Sequence, residues 1–299
     1  MTQFIAIVAI VLAIIGLLGL NLFLFGRLTA RDRVALVEKY QTITVDSRER
    51  KYRYYSPSPD KQLPLVVMLH GYNYDSSRIS ELYSGWSNLA AETGEFAVVY
   101  PQGIKRSWNG DFCCGYSKQN NIDDVGFIMA MLDELEANNQ IDSGQIYLAG
   151  FSNGSFLAQK LLNELPNRFA AGALVMTGVG EKDGRRANIS SVTAPLLIVN
   201  GANDPYTNHS LPKPGFKFTT HQQTVDAWSS QLESTSSNQQ TTNEYEQQTF
   251  KTGDQTVLVS RVYNTSHRWP QWRLWMFKNE VSPFTRDAWQ QLHQLGIQK

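Results

Sequence analysis

Five short stretches of the chain are apolar at nearly every position and end in Gly or Pro. They are PLVVMLHG (64–71), EFAVVYP (95–101), QIYLAG (145–150), AGALVMTG (171–178) and PLLIVNG (195–201). Continuous apolar runs of this length are the mark of parallel strands covered on both faces. YQTITVD (40–46) and RKYRYYS (50–56) instead alternate and are rich in Tyr, Thr and Val, as half-buried antiparallel strands should be. TVLVSRVYN (256–264) completes the set. Helical patterns fall between the strands at 77–93, 123–139, 155–165 and 282–295. The second of these places Val125, Ile128, Met129, Leu132 and Leu135 on one face and acidic residues at its start. Strands alternating with helices predict an α/β domain over 39–299, with a mostly parallel central sheet of about eight strands flanked by helices. Residues 233–249, ESTSSNQQTTNEYEQQT, hold almost nothing to bury and read as a mobile surface loop.

The N-terminus follows a different pattern. From Phe4 to Phe25 the chain carries no charge and one amide, Asn21. As a helix this run would extend about 33 Å, enough for a hydrocarbon core of about 30 Å. It lacks the basic start and short apolar core of a cleaved signal peptide. The expectation is a single transmembrane anchor over 1–26, a charged linker over 27–38, and a membrane-anchored protein. Arg27, Arg31, Arg33 and Lys39 follow the anchor, and such charges favour the cytoplasmic side.

Composition narrows the function classes. The formal net charge is zero, with 27 basic and 27 acidic residues, and there is no basic run, so nucleic acid is not an expected partner. The two cysteines, Cys113 and Cys114, are adjacent. They exclude a disulfide framework and a zinc-type spacing, and leave either a vicinal disulfide or two reduced, buried thiols. No metal or cofactor is expected.

Candidate chemistry centres on YLAGFSNGSF (147–156). Its G-x-S-x-G core lies between a predicted strand and a predicted helix, the setting of a nucleophile elbow that lifts a serine above the sheet edge. Ser152 is then the candidate nucleophile, and the Asn153 N–H would face a developing oxyanion. A serine needs a base. Of five histidines, His209, His221 and His293 fall on predicted surface or helical segments, where a solvated imidazole is the plain reading. His70 ends a strand, and the Gly71-Tyr72 turn after it offers a second oxyanion donor at Tyr72. His267 follows the last strand and is the candidate base. Asp204, in VNGANDPYT, follows another strand and is the candidate acid. The order Ser152, Asp204, His267 is that of α/β-hydrolases, and all three follow strands, where ligands bind in such sheets. Asp123 and Asp124 open a helix and read as caps.

The motifs PLVVMLHG, YPQG (100–103), SWNGDFCCG (107–115), DDVGFI (123–128), IYLAGFSNG (146–154), NGANDP (200–205) and HRWP (267–270) occur in one order along most of the domain. In this the chain resembles the secreted esterases that include polyhydroxybutyrate depolymerases and feruloyl esterases. The resemblance implies an α/β-hydrolase fold and carboxylic-ester hydrolysis through Ser152, Asp204 and His267, on short-chain, hydroxyalkanoate or feruloyl-type esters. It also implies export, against the charges after the anchor, so the side of the membrane stays open. The family usually has Gly before this histidine; here it is Ser266. Trp108 and Trp269 are candidate substrate-binding residues, Trp108 either walling a pocket or packing the Cys113-Cys114 turn. Trp272, Trp275 and Phe277 extend an aromatic rim. Two alternatives accompany this reading: a serine peptidase or amidase on the same fold, and an anchored non-catalytic binding protein.

Overall fold

The computed structural model describes residues 40–73, 76–138, 140–182, 185–207, 217–271 and 281–298. The anchor run, the linker, His209 and the rim residues Trp272, Trp275 and Phe277 lie outside them. Among the described residues no helix is long and apolar enough to cross a membrane.

Ten strands form the main sheet: β1 (Gln41–Val45), β2 (Arg48–Tyr55), β3 (Leu63–Leu69), β4 (Ala97–Pro101), β5 (Ile141–Phe151), β6 (Ala171–Val175), β7 (Leu196–Gly201), β8 (Ser236–Thr241), β9 (Tyr245–Thr252) and β10 (Gln255–Tyr263). Their spatial order is β1-β2-β4-β3-β5-β6-β7-β10-β9-β8. The centre, from β4 to β10, is parallel throughout, and antiparallel strands close both edges. This is an α/β-hydrolase sheet. The continuous apolar runs fall where helices cover both faces: β6 and β7 are buried at every position. Among the described residues six helices pack on the sheet: α1 (Ser76–Ser84), α2 (Trp86–Thr93), α3 (Asp124–Ala137), α4 (Asn153–Glu164), α5 (His221–Gln231) and α6 (Pro283–Gly296).

Several expectations need correction. The sheet has ten strands rather than eight because the polar segment 233–249 is not a loop. It builds β8 and most of β9, an antiparallel hairpin at the sheet edge. Every residue of β8 is exposed, so it joins by backbone hydrogen bonds alone and leaves no hydrophobic alternation to read. The helix expected over 77–93 is two helices, divided at Gly85, whose φ of 69° is open to glycine at little cost. In α3 the buried face is Phe127, Ile128, Met131, Leu132 and Leu135, while Val125 and Met129 are only half-buried. Apolar residues surround so much of this helix that periodicity alone does not centre its face. Asp123 is its N-cap, accepting from the Gly126 N–H at 2.8 Å. Asp124 instead faces inward and pairs with Arg50 of β2 at 2.6 Å, both side chains being buried. The Arg50 guanidinium lies over the Phe127 ring at 4.0 Å.

His221 and His293 are half-buried and hydrogen-bonded rather than freely solvated. His293 stacks on Trp289 and meets the Tyr147 hydroxyl at 3.3 Å. The His221 Nδ1 accepts from the Asn200 amide at 3.0 Å, and its Nε2 lies 2.8 Å from the Ser260 hydroxyl. Burial holds this imidazole down to about 4. Below about pH 6.5 the unfolded chain binds a proton there that the fold refuses, so stability falls as the pH drops toward 4. His221→Gln should flatten the decline. With its partial exposure allowed for, the thermal midpoints of parent and variant should converge or cross by about 6 °C between pH 7 and pH 4, or about 2 kcal/mol. Parallel midpoints across that range, measured by calorimetry, would contradict the assignment.

Candidate active site

β5 runs directly into α4, and Ser152 is the turn between them. Its backbone sits at φ 51°, ψ −115°, a conformation that costs a non-glycine residue about 1–3 kcal/mol and has to be held by its surroundings. The surroundings are close. The Ser152 N–H donates to Val175 O of β6 at 2.9 Å, and Ser152 O accepts from the Ser155 N–H at 2.9 Å. A Cβ at Gly150 would lie 2.7 Å from Gly154 O, and one at Gly154 would lie 2.2 Å from Leu69 O and 2.6 Å from His70 O. The Ser155 hydroxyl fills the remaining space, donating to Gly150 O at 2.6 Å and accepting from the Val175 N–H at 3.0 Å.

The structure brings three of the candidate residues into one line. The Ser152 Oγ is 2.8 Å from His267 Nε2, and His267 Nδ1 is 2.8 Å from Asp204 Oδ2. Asp204 is fully buried, and its other oxygen accepts from the Tyr206 N–H at 2.8 Å. Its loop, after β7, is laced to the His267 loop, after β10. The Ala202 N–H donates to Tyr263 O at 2.7 Å and the Asn203 N–H to Thr265 O at 2.9 Å. Gly201 permits this approach, since a Cβ there would lie 2.3 Å from Thr265 O. The imidazole is flanked by the rings of Tyr206, with centroids 4.8 Å apart, and Phe151, at 5.5 Å. A buried carboxylate on one ring nitrogen leaves the other free to take a proton from a hydroxyl, the arrangement that serves nucleophilic catalysis.

Asn153 opens α4 and is fully buried. Tyr72 lies in the turn after β3 and is 43% exposed. The tight contact at Gly154 sets these two segments side by side. Both candidate tryptophans are buried. Trp108 is fully buried, with its indole N–H on His70 O at 2.9 Å. Trp269 is buried among Tyr83, Trp86, Phe151 and Phe284, and its N–H donates to the Thr285 hydroxyl. Neither presents a face to solvent, because each indole completes its hydrogen bond inside the protein. Cys113 and Cys114 are joined as a vicinal disulfide, and Cys113 packs with Phe156 and Phe218. The residue that motif reading passed over is Tyr206. The only local signal was Asp-Pro-Tyr itself, in which an Asp side chain accepts the N–H two residues on.

A family model described as esterase PHB depolymerase matches residues 51–200. The chain belongs to this family. It is 30% identical over 168 residues to the NocK protein of Nocardia uniformis subsp. tsuyamanensis, a match covering 54% of this chain and 47% of that one. It is 33% identical over 119 residues to the poly(3-hydroxyalkanoate) depolymerase C of Paucimonas lemoignei, covering 38% of this chain and 28% of that one. The chain thus spans less than half the length of either curated relative. Among solved structures, the acetyl xylan esterase from Aspergillus awamori superposes with a TM-score of 0.56 at 16% identity, over 78% of this chain and 95% of that one; this likeness is one of fold. The turn at Ser152 must keep its bare backbone. Gly154→Ala would drive a methyl group into two carbonyls that cannot rotate away, and should cost about 3 kcal/mol, or about 10 °C of melting temperature. A variant that melts within 2 °C of the parent, on the order of 0.5 kcal/mol, would show that the turn relaxes.

Proposed function

We propose that the protein is a serine carboxylic-ester hydrolase working through an acyl-enzyme. The observation that carries this reading is the unbroken hydrogen-bond line from the Ser152 hydroxyl through His267 to the buried Asp204. His267 Nε2 takes the Ser152 proton as Oγ attacks the ester carbonyl, and Asp204 holds the ring and stabilises the imidazolium. The backbone N–H groups of Asn153 and Tyr72 receive the oxyanion. When the C–O bond to the alcohol breaks, His267 returns its proton to the departing oxygen. Water then enters, gives a proton to His267 and attacks the acyl carbon. Collapse of the second tetrahedral intermediate frees the acid and restores the serine hydroxyl. Every step uses groups of this chain.

Membership of the esterase family supports ester over amide. The poly(3-hydroxyalkanoate) depolymerase relative supports short acyl or hydroxyalkanoate esters, small or oligomeric, with feruloyl esters as a related class. The Tyr206 and Phe151 rings beside His267 suit acyl groups that are apolar or planar. The uncharged run from Phe4 to Phe25 supports a bilayer anchor ahead of this domain. The full chain should hydrolyse p-nitrophenyl butyrate, and methyl ferulate if planar acyl groups fit. In Ser152→Ala and His267→Ala kcat should drop by about 10⁴ or more, and Asp204→Asn should lose about as much. Melting temperatures would be compared alongside. A folded Ser152→Ala protein that retains more than about a tenth of parental kcat would refute the nucleophile, given the scale of loss expected.

A further inference from the structure

The hydrogen bonds around Trp108 reach both segments that carry the proposed oxyanion donors. The Asn153 carboxamide pairs with both backbone groups of Trp108: its Oδ1 accepts the Trp108 N–H at 2.7 Å, and its Nδ2 donates to Trp108 O at 3.1 Å. The same Nδ2 donates to Cys113 O at 3.2 Å. From the other side of Trp108, the indole N–H donates to His70 O at 2.9 Å. His70 is itself held. Its Nε2 accepts the Gly103 N–H at 3.0 Å, its Nδ1–H donates to Gly71 O at 2.7 Å, and its ring lies 4.7 Å from the Trp108 ring. The next residue is anchored to the body of the domain, since the Asn109 N–H donates to Asp124 Oδ2 at 2.7 Å while Asp124 Oδ1 holds Arg50. His70, Trp108 and Asn153 are fully buried.

We infer that Trp108 and the Asn153 side chain are positioning residues that set the spacing of the two oxyanion donors. The Asn153 N–H is fixed through its own carboxamide. The Tyr72 N–H is fixed through the carbonyl of His70, two residues earlier. The two donors sit on different strands' ends, and Trp108 is bonded directly to both segments. An oxyanion hole acts only when its donors stay within a few tenths of an ångström of their places, because the stabilisation is preorganised. Packing alone would be served by any large apolar ring; here the indole N–H and the carboxamide make directional bonds to the donor segments. The inference rests on the esterase reading.

The test compares p-nitrophenyl acetate with its thionoacetate in the full-length parent, Trp108→Phe and Asn153→Ala. Phe keeps an aromatic ring, smaller than the indole, and removes the N–H; Ala keeps the backbone N–H and removes the carboxamide. A sulfur anion is larger and a poorer acceptor, so a tightly set hole favours the oxygen ester strongly. Misfolded protein lowers both rates equally and leaves their ratio untouched. The ratio of the two kcat/KM values should fall about tenfold or more in each variant, a fraction of the effect of deleting a donor outright. The loss on the oxygen ester should appear in kcat with KM little changed. Should either variant not fold, the other still decides. A ratio within twofold of the parent's, whatever the absolute rates, overturns the inference and leaves the esterase reading standing. A parent that cleaves neither ester overturns both.

Discussion

The site depends on a distance that one missing methyl group makes possible. At Gly154 the first turn of α4 lies so close to the end of β3 that a Cβ would meet Leu69 O at 2.2 Å. This contact brings the Ser152 elbow against the 70–72 turn. It puts the first N–H groups of a helix, which have no partners within it, beside a second segment with backbone donors of its own. Had α4 started farther from β3, Ser152 would still sit at a sheet edge, but the backbone N–H groups of Asn153 and Tyr72, the proposed oxyanion donors, would be apart. The left-handed backbone of Ser152 is sustained by the same packing, through the bonds to Val175 and Ser155.

Around that contact the domain uses buried polar groups in matched sets. Asp204 is fully buried, yet both oxygens have donors, the His267 ring and the Tyr206 N–H. Asp124 is buried as well, between Arg50 and the Asn109 N–H; burial raises its carboxyl above the usual range, and the guanidinium offsets only part of that rise. Leaving such groups without partners would cost more than the bonds themselves contribute. Each set therefore constrains the loops it joins. The first ties Asp204 to His267 across the loops after β7 and β10. The second ties the loop after β4 to β2 and α3, and through Trp108 to Asn153 and His70. The rigid parallel sheet carries all of these loops on one edge, where function in such folds gathers.

The central strands and the helices other than α5 (His221–Gln231) were legible in the chain, though α1 and α2 read as one, because burial on both faces demands continuous apolar runs, and burial on one face demands a helical stripe. The triad candidates were legible because each follows a strand, and strand ends of a parallel sheet share an edge. What was not legible has a common cause. The β8–β9 hairpin is held by backbone bonds that any sequence can make, so SSNQQT carries no signal of it. His221 and His293 read as solvated because a polar residue's burial depends on partners far away in the chain: Asn200 and Ser260 for one, Tyr147 and Trp289 for the other. The partners of the Trp108 and Trp269 indoles, His70 O and the Thr285 hydroxyl, lie on other segments and leave no local signal.

By itself, then, the sequence determined the alternation of strands and helices, the bare glycines beside Ser152 and the order of the candidates Ser152, Asp204 and His267. These are local properties: hydrophobic period, backbone freedom and residue type. Only the tertiary structure decided which side chains reach one another. The 2.8 Å bonds of the Ser152–His267–Asp204 line join residues up to 115 positions apart. The Asn153–Trp108 pairing joins residues 45 apart. Such contacts depend on how the loops at the sheet edge fold over it, and hydrogen bonds of this directionality leave no periodic trace along the chain.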